Sequence, residues 1–113
     1  METLYHKDIG FPKLSMKPTL VNLQYGSHAR REALEDRYGE IKLPKQAYLK
    51  RENIIELGMV DKRVTKVVTR QPYSKTHDIV IVLNTKDNFV RTVWLNCVTD
   101  THETLDISKY KRP

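Results

Sequence analysis

The sequence contains one cysteine, Cys97, so no internal disulfide can form and a zinc site built on several cysteines is excluded. Glycine is scarce, at four residues in 113, and none of the four belongs to a phosphate-cradling loop. There is no Gly-x-Ser-x-Gly elbow, no His/Cys zinc spacing and no paired-carboxylate signature. These absences leave no metal or organic cofactor to expect. No apolar run approaches the roughly 20 residues of a membrane span. Residues 1–17 lack the apolar centre of a signal peptide, so the expectation is a cytoplasmic protein with no membrane partner. No internal repeat or low-complexity segment is present.

What remains is an ordinary soluble mixture, 39% hydrophobic and 30% charged, at a length that suits one domain with one core. Twenty Lys and Arg stand against 14 Asp and Glu, a net charge of +6. That balance favours polyanionic partners: RNA, DNA or an acidic protein.

Residues 1–19, with Gly10, Pro12 and Pro18, read as an N-terminal arm, and residues 20–113 as a single α+β domain. Leu20–Tyr25 reads as a short strand ended by Gly26. Ser27 is a good N-cap for a helix over 28–38, closed by Gly39. Ala29, Ala33 and Leu34 would face the sheet, with Arg37 near the packed side. A second short helix could start at Pro44. Four strands then follow, at 52–58, 63–70, 78–84 and 89–96. Their short connections predict an antiparallel meander, with one or two N-terminal helices packed on a four-stranded sheet. The strand Ile79–Leu83 is apolar on both faces and should be central.

The last strand alternates. Val90, Thr92, Trp94 and Asn96 would point to an open polar face, and Phe89, Arg91, Val93 and Leu95 to the core. His102 follows closely. Cys97, at the end of the strand, reads as a small buried apolar group. Lys66 and Arg70 share a face of the second strand, and His28 opens the helix. Such a set suits ribonucleolysis without a metal. A histidine moves protons near neutral pH, Lys and Arg hold the phosphate, and Trp94 can stack on a base. A protein that only grips RNA would use the same residues.

Ser27-His-Ala-Arg-Arg-Glu-Ala-Leu-Glu-Asp-Arg-Tyr-Gly39, Val64-Thr-Lys-Val-Val-Thr-Arg70, Asp78-Ile-Val-Ile-Val-Leu83 and Arg91-Thr-Val-Trp-Leu-Asn96 together resemble the layout of the barnase–colicin–RelE superfamily. These are small metal-independent RNases of toxins, antibacterial effectors and phages. The resemblance implies a helix before a four-stranded antiparallel sheet, and RNA as substrate. It also implies a bacterial cell or phage-infected host as the setting. His28, Arg37, Lys66, Arg70 and Thr92 match the usual polar positions, and His102 or Tyr110 falls where a late catalytic group can sit. Relatives often carry Arg four residues after the helix histidine; here that residue is Glu32, beside Arg31.

The expectation is a metal-independent endoribonuclease cleaving by 2′-OH attack. Its catalytic candidates are His28, Arg37, Lys66, Arg70, Thr92 and His102; Trp94, Asn96, Arg31 and Tyr110 would bind substrate. The alternative is a non-catalytic phage accessory protein that binds nucleic acid or a host protein through its basic face. A cognate inhibitor is a further partner that the resemblance implies.

Overall fold

The computed structural model describes residues 2–5, 18–50, 53–61 and 63–99. His102 and Tyr110 lie outside the described residues. The elements are β1 (Glu2–Tyr5), β2 (Thr19–Asn22), β3 (Gln24–Tyr25), α1 (Ser27–Leu34), β4 (Gln46–Leu49), β5 (Ile54–Val60), β6 (Arg63–Pro72), β7 (His77–Asn84) and β8 (Phe89–Cys97). A six-stranded sheet runs β1-β5-β6-β7-β8-β3, and β2 pairs with β4 in a separate ribbon. All pairs are antiparallel except β3 with β8.

The α+β class and the antiparallel β5–β8 meander agree with the pattern of the sequence. The detail differs. Residues 2–5, expected within an arm, pair with β5. A single helix is described, and the segment expected as a second helix is β4. Its burial alternates, with Ala47 and Leu49 inside and Gln46 and Tyr48 outside. Pairing with β2 and burial of two side chains outweigh the modest helical preference of this stretch.

Ile79, Ile81 and Leu83 of β7 face a core completed by Ala29, Ala33, Ala47 and Leu49. Val80 and Val82, on the other side of the same strand, join Ile55, Val68 and Trp94 in a second cluster. β7 is therefore central and apolar on both faces, as its composition predicts.

Helix α1 stops at Leu34, four residues short of the expected end. Ala29 and Ala33 are buried, but Leu34 is 64% exposed. The packed stripe is Ala29, Glu32, Ala33 and, just past the helix, Asp36. The two carboxylates replace Leu34 on that stripe because they answer the free edge of β8. Val93 N donates to Glu32 Oε1 (3.2 Å) and Leu95 N to Asp36 Oδ1 (3.1 Å). Residues four apart on a helix rise about 6 Å and residues two apart on a strand about 6.6 Å, so the two spacings match. Asp36 Oδ2 also accepts from Tyr38 N (3.1 Å), which turns the chain out of the helix before Gly39 at φ 108°.

The register of β7–β8 places Leu83 opposite Val90 and Val82 opposite Thr92, leaving Arg91 as an extra residue. A bulge here breaks the alternation expected for this strand. Val90 turns to the same core as Val93 and Leu95, while Phe89 and Arg91 are exposed.

Candidate functional site

The bulge shapes a groove. It has a volume of about 490 Å³ and is lined by His28, Lys66, Asn84, Phe89, Arg91 and Thr92, with Val82 at its base. Lys66 reaches it beside a second irregularity. Gly58 pairs with Lys66 and Met59 with Val64, so Thr65 is the extra residue of β6. Bulges re-aim side chains in this way where a sheet carries a site.

Glu32 organises one wall. Its carboxylate accepts from Thr92 Oγ1 at 2.5 and 2.6 Å and from Val93 N, and His28 Nε2 lies 3.5 Å from its Oε1. The His28 side chain is 74% exposed, so its ring remains open to solvent. Lys66 Nζ is 3.8 Å from Glu56 Oε1, and both side chains are largely buried. Arg91 is exposed on the bulge.

Of the residues expected at a site, the structure brings His28, Lys66 and Thr92 together. Arg70 is elsewhere. Its Nε donates to Asp78 Oδ2 and its Nη2 to the Cys97 carbonyl, both at 2.7 Å, so its guanidinium clamps the ends of β7 and β8. Arg37 lies beyond the helix and outside the packed side where it was expected. It is exposed, 4.8 Å from the Tyr38 ring centroid. Arg31 is exposed on α1 and away from the groove. Trp94 is 2% exposed and Asn96 fully buried, so neither presents its face to a substrate. The open polar face expected there is instead the second apolar cluster.

Three groove residues escaped the sequence reading. Phe89 and Arg91 were placed on the core face by an alternation that the bulge interrupts, and Asn84 carried no signal beyond ending a strand. The available hint was Asp87-Asn88, a turn pair, with Asn88 at φ 57° and Asp87 Oδ1 accepting from Phe89 N.

A separate polar cluster closes the far end of β7 and β8. Cys97, expected buried and apolar, is partly exposed. Its thiol lies 3.4 Å from Tyr38 Oη, to which it donates, and 3.7 Å from His77 Nε2. His77 Nδ1 is 2.8 Å from Thr76 Oγ1, and the Tyr38 and His77 rings lie 4.3 Å apart. Among the described residues no group of three His, Cys, Asp or Glu could hold a metal ion. No helix there is long and apolar enough to cross a membrane.

Tyr25, beside the start of α1, donates its hydroxyl to the Pro44 carbonyl. Burial pushes its pKa up to about 12, and the Arg30 guanidinium offsets part of that rise. Compared with family models, with curated proteins and with solved structures, the chain matches none.

Proposed function

We propose that the groove of His28, Lys66, Arg91 and Thr92 binds RNA and cleaves it without a metal ion. The observation that carries this reading is the convergence of a solvent-open histidine, backed by a carboxylate, with two cations. In the proposed reaction the ribose 2′-oxygen attacks phosphorus and its proton passes to the His28 imidazole. The P–O5′ bond breaks, the leaving 5′-oxygen takes a proton from solvent, and His28 returns its own to water. Arg91 and Lys66 face the charge that builds on the phosphoryl oxygens. Glu32 holds the imidazole in place, and Thr92 fixes Glu32. The motifs quoted above are what link this reading to the barnase–colicin–RelE superfamily.

Two observations favour binding without cleavage as the second reading. Lys66 is already paired with Glu56, and His28 is the groove's one proton-transfer side chain among the described residues. The test is incubation with total bacterial RNA in EDTA, beside a His28→Ala variant. The expected outcome is cleavage by the parent alone, leaving 2′,3′-cyclic phosphate ends. Intact RNA with a folded parent selects the second reading if RNA is still retained on the protein. Equal cleavage by both proteins removes His28 from the chemistry.

A further inference from the structure

Phe89 belongs to two grooves. One is the groove of His28, Lys66 and Arg91; the other, of about 540 Å³, carries Arg30 and Lys45 with Asn22 and Gln24. The ring is 38% exposed and stands between them. A carbon added to Gly26 would lie 2.4 Å from Phe89 Cζ and 3.3 Å from both Cε atoms. Those three distances put it in the ring plane, on the extension of the ring's long axis. The ring therefore meets the backbone at Gly26 by its vertex, and that contact covers neither face. No carboxylate lines the groove of Arg30 and Lys45 among the described residues, and the two beside the other groove, Glu32 and Glu56, are engaged by Thr92 and His28 and by Lys66.

We infer that the two grooves form one track for single-stranded RNA, crossing the start of α1. A base stacks on Phe89, with phosphates held by Arg91 on one side and by Arg30 and Lys45 on the other; Lys66 is already paired with Glu56. The inference rests on the RNA reading above and adds strandedness, the stacking residue and the second half of the track. Strandedness follows from the ring. A duplex hides its base faces in its own stack, and only an unpaired base can lay a face on a side chain. An acidic peptide would satisfy the cations and leave the ring's faces unused.

The experiment is fluorescence anisotropy with labelled 2′-O-methyl oligouridylate, which cannot undergo 2′-OH attack and so separates binding from cleavage. A duplex of the same length is the comparison. The parent is expected to prefer the single strand, Phe89→Leu to weaken its binding about tenfold, and Phe89→Trp to retain it. Gly26→Ala, whose methyl would displace the ring vertex, should weaken binding in the same direction. Unchanged affinity in Phe89→Leu, or equal affinity for the duplex, overturns the track while the RNA reading stands. No binding of either RNA by the folded parent overturns both.

Discussion

Glu32 serves three neighbours at once: the Thr92 hydroxyl, the Val93 amide and the His28 ring. Hydrogen bonds to a charged group contribute about 1.5–3 kcal/mol, and losing the acceptor leaves a half-buried donor unsatisfied. Glu32→Ala should therefore destabilise the fold by about 2 kcal/mol in urea denaturation. Glu32→Gln, which keeps an acceptor for Val93, should cost less than half as much. Equal losses would mean that charge, not hydrogen bonding, holds this wall.

Tyr25 gives a second residue-scale expectation. Its folded pKa, near 12, lies above the ordinary value of 10, so the folded state holds the phenolic proton more tightly than the unfolded chain. The stability this contributes is complete below about pH 10 and is lost as pH rises from there to about 12. Tyr25→Phe should lower stability at neutral pH by about 1 kcal/mol, through loss of the bond to Pro44. It should also flatten the decline above pH 10. Parallel pH–stability curves for the two proteins would refute the assignment.

At the scale of elements, α1 acts as a cover for the edge of β8. Strand edges carry unpaired amides that invite another chain, and here two carboxylates take them. The register makes a specific prediction for hydrogen exchange. Asp36→Ala should expose the Leu95 amide selectively, and Glu32→Ala the Val93 amide, each leaving the other protected. Simultaneous loss of both in either variant would show that α1 docks as a unit and that the pairing is incidental.

This arrangement also explains what could be read in advance. Residues 63–97 were legible because β-branched runs with turn residues between them have little other way to fold. The placement of Phe89 and Arg91 was not legible, because one extra residue in a ladder inverts the side chains on one side of it relative to the other and leaves no compositional trace. Trp94 lies on the face that its alternation predicts, but that face is a second apolar cluster rather than an open polar one. Leu34 misled for a related reason. Hydrophobicity alone assigned the packed stripe, whereas the strand edge required carboxylates at positions 32 and 36. Lys66 and Thr92 were picked by the phase of their strands and His28 by its place at the start of the helix, and the three line one groove.

The whole molecule carries a net charge of +6, yet the cations that matter for a polyanion are those not already neutralised. Arg70 is paired with Asp78 and Lys66 with Glu56. Arg30, Lys45 and Arg91 line the two grooves and carry no ion pair among the described residues. Each phosphate contact on a single strand contributes about −0.7 to the slope of log K against log salt, so three contacts predict a slope of about −2. Replacing Arg30, Lys45 or Arg91 by Ala should reduce the steepness by about 0.7 each. Lys66→Ala should barely change it, because the charge of Lys66 is already offset by the Glu56 carboxylate 3.8 Å away. Salt titrations of oligouridylate binding check this directly. A flat dependence would show that charge does not hold the strand, and a Lys66→Ala slope that falls as far as that of Arg91→Ala would show that the chain's global charge rather than these three cations holds it.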